Sequence, residues 1–157
     1  MKNLLIIILG VFVFVACKKK NDACMPASAA SEADQLAAFC NKYSINYTVD
    51  PNGIYYEIVE AGSGASPNLN SIITVAYTAS TLDGNVVEDY TNTNNPLTSQ
   101  LSEFIECWRI ALPYIQRGGH IKMVAPSSLA YGCTGLTSEN IPANSPLYYD
   151  IVLLNVE

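Results

Sequence analysis

The chain has 157 residues, half of them hydrophobic, and a formal net charge of −6. That length accommodates one domain with flanking segments rather than an array of domains. From Tyr43 onward eleven acidic side chains face only Arg109, Arg117 and Lys122, and a surface of that sign argues against nucleic acid as a partner. At the N-terminus, Lys2 gives a short positive start and residues 4–15 form an apolar run broken only by Gly10. Such a run is shorter than the roughly 20 apolar residues that span a bilayer. It has the form of the apolar region of a secretion signal, with small Ala16 at the cleavage point before Cys17. Lys18, Lys19 and Lys20 open a Lys-, Ala- and Ser-rich stretch with Pro26, which reads as a tether over residues 17–30. The three lysines either lie on anionic lipid headgroups or are simply solvated.

Residues 31–42 carry a helical pattern. Ser31 and Asp34 resemble a capping pair, and Leu36, Phe39, Cys40 and Tyr43 fall at helical spacing. This N-terminal helix, with its exit to residue 47, is expected to dock on the domain that follows. From Thr48 the chain changes character. Residues 53–60 read as a strand, which Gly62-Ser-Gly-Ala-Ser-Pro67 breaks. Residues 72–78 alternate and place Ile73, Val75 and Tyr77 on one face. Leu82-Asp83-Gly84-Asn85 signals a turn, and residues 91–96 form a polar loop ending at Pro96. Residues 103–112 predict a helix carrying Phe104, Ile105, Trp108 and Leu112, and Pro113 ends it. Arg117-Gly-Gly119 turns the chain into residues 120–125, where Ile121, Met123 and Ala125 share a face. A long loop over 129–146 leads to a last strand over 147–156. Strands with one inserted helix predict the α+β class, an antiparallel sheet wrapped on a helix.

Three segments then resemble a known family. Val75-Ala-Tyr-Thr78 followed by Leu82-Asp-Gly84 is similar to "V-x-Y-T-G-x-L-x-D-G", and Ile105-Glu-Cys-Trp108 to "V-I-x-G-W". Ser128-Leu-Ala-Tyr-Gly132, Gly135, Ile141-Pro142, Leu147 and Asp150-Ile-Val-Leu-Leu154 are similar to "L-A-Y-G … I-P-P-N … L-x-F-D-V-E-L-L". In order and spacing these resemble the FK506-binding family of peptidyl-prolyl isomerases. The resemblance implies a half-open antiparallel sheet curled round one short helix, with the N-terminal helix as an addition, and an isomerase domain over 48–157. It also implies an apolar pocket for proline. Trp108 would be the floor and Tyr77, Phe104, Ile105 and Tyr149 the walls. Tyr131 would sit on the rim with its hydroxyl free for a substrate carbonyl, and Ile141 would offer a backbone N–H. Glu88 stands where the family usually has Asp, with Asp89 as the alternative carboxylate. Val87 and Leu97 replace family phenylalanines, which predicts a wider and less aromatic pocket.

Ala16-Cys17 after the apolar run similarly resembles the lipobox of bacterial lipoproteins. This implies a signal peptide over 1–16, a diacylated Cys17 and a lipid-anchored protein of the cell envelope. An ordinary secretion signal with an unrelated cysteine is the alternative. Five cysteines in an exported chain suggest oxidation. With Cys17 lipidated, Cys24, Cys40, Cys107 and Cys133 allow three pairings, and Cys24–Cys40 with Cys107–Cys133 is the expected one.

Rotation about an X–Pro bond faces a barrier of about 18–20 kcal/mol from lost amide resonance, and no covalent bond breaks. The twisted amide has less charge separation than the planar one, so an apolar surround favours it relatively. Such an enzyme needs no general base, metal or cofactor, and none is expected here. The single histidine, His120, is read as an exposed structural residue on a strand. Proline-containing polypeptides are the expected partners. The rival reading is a module that binds proline segments without turnover. Oligomeric state is left open by the sequence.

Overall fold

The computed structural model describes residues 24–157. The expected signal, the lysine run and the expected Cys17 lipid site lie outside the described residues. Helix α1 spans Ala29–Lys42 and starts two residues earlier than the sequence pattern predicts. Ser28, not Ser31, is its cap: the Ser28 Oγ accepts the Ser31 backbone N–H at 3.2 Å. Leu36, Phe39 and Cys40 are buried as expected, whereas Tyr43 lies just past the helix end and stays exposed.

Seven strands follow: β1 (Thr48–Val49), β2 (Tyr55–Glu60), β3 (Ile72–Thr81), β4 (Val86–Asp89), β5 (Leu97–Gln100), β6 (His120–Ala125) and β7 (Leu147–Val156). They form one sheet in the order β1-β2-β6-β7-β3-β4, with β5 also on β3. Every pairing is antiparallel. The outer edge of β3 is shared, with β5 on Ile72 to Val75 and β4 on Thr78 to Ser80. Neither β4 nor β5 is expected from the sequence pattern, because each is only four residues long and neither is a mostly apolar run.

Period-two alternation sorts the two faces of the sheet. Tyr77, Met123, Tyr149 and Ile151 enter the main core with α2 (Glu106–Ala111), while Tyr55, Val124 and Tyr148 turn the other way to meet α1. A buried hydrogen-bonded tie fixes α1 in place. The Glu32 carboxylate accepts the Ser127 backbone N–H at 2.7 Å and its hydroxyl at 2.6 Å.

Helix α2 is shorter than the predicted 103–112. Single 3-10 turns at Leu101–Glu103 and Leu112–Tyr114 flank it, and Phe104 and Ile105 are extended. Pro113 sits at the start of the second turn, as its missing N–H requires.

The disulfide pairing is corrected. Cys24 bonds Cys133 with Cα atoms 5.4 Å apart, and Cys40 and Cys107 are free. Cys40 is sealed in the α1 cluster and Cys107 in the main core on the opposite face, so neither reaches its expected partner. Among the described residues no helix is long and apolar enough to cross a membrane.

Candidate active site

A cavity of about 170 Å³ opens where the sheet curls over α2. Strand β3 delivers Tyr77, β4 delivers Glu88, β5 starts at Leu97, and β7 delivers Tyr149. The extended Phe104–Ile105 pair, Glu103 before it and Trp108 on α2 form the other side. Tyr131 reaches in from the loop after β6. The early end of the helical pattern matters here. With Phe104 and Ile105 extended, both side chains line the cavity, and Ile105 can act as the entry residue of α2.

The indole of Trp108 is 2% exposed and boxed by aromatic rings. Phe104 stacks on it at 4.9 Å, and Tyr77 and Tyr149 meet it edge-on at 4.7 and 5.6 Å. Two polar atoms in this box have no protein partner: Trp108 Nε1 and the Tyr149 hydroxyl. Leaving a buried donor unpaired costs about 1–3 kcal/mol, a cost that native structures keep for a reason.

The mouth is acidic. Tyr77 donates its hydroxyl to Glu88 Oε2 at 3.2 Å. Burial pushes the Glu88 carboxyl above its ordinary range, the Tyr77 hydrogen bond opposes that, and Glu139 nearby adds to it. Burial, reinforced by the Glu88 charge, raises the Tyr77 phenol strongly. Tyr131 is pushed up to about 12 by burial and then by the Glu88 charge, and among the described residues its hydroxyl is bound to nothing. Both phenols therefore stay protonated at neutral pH.

Eight of the ten expected pocket residues therefore meet at one cavity: Tyr77, Glu88, Leu97, Phe104, Ile105, Trp108, Tyr131 and Tyr149. Two do not. Val87 packs against the main core cluster without lining the cavity. Ile141 is buried beside it, and its backbone N–H is spent on Leu136 O at 2.9 Å in a two-residue bridge. The expectation that Ile141 offers that N–H is thus corrected. A different one is available: Ile105 N–H, at the cavity wall, donates to no acceptor among the described residues. Sequence reasoning missed it because the residue was placed inside a helix. It also missed Glu103. Between the two candidate carboxylates the geometry selects Glu88, since Asp89 turns outward to bond Thr91. His120 is half-buried rather than exposed. Its Nε2 lies 2.5 Å from Asp150 Oδ1, away from the cavity, and Tyr148 donates to the same carboxylate.

A family profile described as FKBP-type peptidyl-prolyl cis-trans isomerase matches residues 64–154, more than half of the chain. The chain belongs to this family. Among curated relatives, FkpA of Escherichia coli K12 is 37% identical over 105 residues, covering 67% of this chain and 38% of that protein. The outer membrane protein MIP of Legionella longbeachae is 33% identical over 117 residues, covering 74% and 50%. The chain thus spans half or less of the length of these relatives. The crystal structure of Escherichia coli FkpA superposes with a TM-score of 0.72 at 32% identity, covering 82% of this chain and 61% of that one. The FKBP profile takes in β3 to β6, α2 and β7 as far as residue 154, and so includes every residue that lines the cavity.

Proposed function

We propose that this FKBP-family chain is a peptidyl-prolyl cis-trans isomerase of the cell envelope, acting on proline-containing segments of exported proteins. The observation that carries the reading is an aromatic cavity floored by a nearly sealed indole. A proline ring seated against Trp108 puts its imide in an apolar surround, which favours the twisted amide over the planar one. Ile105 N–H and the Tyr131 hydroxyl are two free donors that would hold the flanking carbonyls. Three contacts each worth about 1.4 kcal/mol more in the twisted state give a thousandfold rate. Glu88 has a different task. It holds the Tyr77 ring in place through the phenol hydrogen bond.

The envelope part of the reading is supported by the apolar leader pattern, by a disulfide, which persists in oxidising compartments, and by a relative named as an outer membrane protein. Diacylation of Cys17 would anchor the chain to a membrane by its N-terminus.

The test is isomerisation of a short X–Pro peptide by the full chain. Turnover above buffer that falls at least tenfold in Trp108→Ala supports the enzyme reading. Peptide binding with no turnover would establish the rival reading, a proline-binding module, which the replacement of an aromatic wall by Leu97 favours. Incorporation of labelled fatty acid in cells, abolished by Cys17→Ala, tests the anchor.

A further inference from the structure

The rim residue Tyr131 belongs to a segment of single 3-10 turns rather than to the sheet or α2. Its internal bonds are local. Thr134 Oγ1 and Gly135 N–H donate to Tyr131 O at 3.0 and 3.1 Å, and Leu136 and Ile141 exchange backbone bonds at 2.9 Å. At Gly135, with φ of +63°, an added Cβ would lie 2.3 Å from Ile141 O, so the segment closes tightly on itself.

What fastens it to the rest of the molecule at its far side is the N-terminal strap. Cys133, two residues after Tyr131, is bonded to Cys24 across 109 positions of sequence. Asn144 accepts Ala27 N–H at 3.0 Å and donates to Met25 O at 3.1 Å, while its own N–H returns to Gly132 O at 2.8 Å. Four residues therefore clasp the rim and run directly into α1, which packs Leu36, Phe39 and Cys40 on the opposite face of the sheet. The clasp is solvent-facing: Met25 is 76% exposed and Cys24 is exposed with it. Cys40 and Cys107 are both fully buried, so neither competes for exchange with this bridge.

We propose that Cys24 and Cys133 are positioning residues for the isomerase site, which hold the Tyr131 rim over the cavity through a bridge that a dithiol reductant can open. This rests on the isomerase reading above. Opening is a balanced exchange: the disulfide takes two electrons and two protons to become two thiols, and the dithiol closes to its own disulfide. The strap is then left with two exposed hydrogen bonds through Asn144, and the Tyr131 hydroxyl loses its fixed place. The dithiol class includes the Cys-x-x-Cys oxidoreductases of oxidising compartments, so activity follows the local thiol state.

The experiment uses the full chain, oxidised or treated with dithiothreitol, with alkylation mapping to confirm that Cys24 and Cys133 alone become reactive among the described cysteines. Reduced protein and the Cys24→Ser/Cys133→Ser variant are each expected to lose about tenfold in kcat/KM with circular dichroism unchanged, since small misplacements of a contact carry losses of that order. Tyr131→Phe should cost about the same alone and add little in the bridge-free background, because both changes remove one placed hydroxyl. Losses that add, or kcat/KM indifferent to the bridge, overturn the proposal. Hydrogen exchange reads the same claim without turnover. On reduction, amides of residues 132–141 should exchange at least tenfold faster while those of β3 and β7 do not change. Unchanged protection of the rim overturns the proposal even if the oxidised chain turns over no peptide, and absent turnover with a loosened rim overturns only the isomerase reading.

Discussion

The floor and the rim of the cavity are built in opposite ways. The floor comes from regular elements: Trp108 on α2, Tyr77 on β3 and Tyr149 on β7, all buried and fixed by ring contacts of 4.7 to 5.6 Å. The rim comes from a loop whose fixed points are a disulfide, a clasp through Asn144 and the Glu32 tie at Ser127. A floor of this kind loses function and fold together when it is cut. A rim of this kind can lose function alone.

Substitutions sharpen that contrast, beginning with the largest effect. Trp108→Ala empties the box and should cost about 3–5 kcal/mol of stability as well as activity, measured by denaturant unfolding beside the peptide assay. Glu32→Ala lies outside the cavity. It strips the Ser127 N–H and hydroxyl of their buried acceptor and should cost about 2–3 kcal/mol, with amides after β6 losing protection first. If Glu32→Ala left stability untouched, α1 would be a passenger rather than an anchor for the rim. Tyr131→Phe should lower kcat/KM about tenfold while moving stability by less than about 0.5 kcal/mol, the pattern of a surface-facing group used only by substrate. A large stability loss there would place Tyr131 with the floor.

The smallest effect is electrostatic. Burial holds the Glu88 carboxyl above its ordinary value, so the folded chain favours its protonated form. Stability linked to this group is full below the unfolded pKa and declines as pH rises through the folded one. Glu88→Gln keeps an acceptor for the Tyr77 hydroxyl without the charge. It should therefore raise stability at neutral pH by less than about 1 kcal/mol, given the half-exposed site. The gain should fade as pH drops below about 4, where both forms are neutral. A neutral-pH loss would mean that the charge itself supports the Tyr77 ring.

The same contrast explains what the sequence disclosed. The floor was legible because alternation in β3 and β7 and the large aromatics announce burial, and because motif spacing survives in regular elements. The strand Leu147–Val156 emerged with its predicted bounds. Tyr131 was legible as the rim residue, but the fastening of the rim was not, since a disulfide between residues 24 and 133 depends on tertiary proximity that no local pattern encodes. Backbone donors were the other blind spot. Nothing in the residue types says that Ile141 N–H is spent on Leu136 or that Ile105 leaves the helix and keeps its N–H free. Likewise β4 and β5 are short edges on β3, and their pairing with it is decided by the chain's return rather than by propensity.

The central claim is that an aromatic cleft shelters an imide while it turns, with no proton moved. The pH profile of kcat/KM for an X–Pro peptide tests it most directly. The account predicts a flat profile between about pH 6.5 and 9, because the rate rests on an apolar surround and on neutral N–H and O–H donors rather than on a general acid or base. A bell-shaped profile with a limb that disappears in Glu88→Gln or in a His120 variant would contradict it.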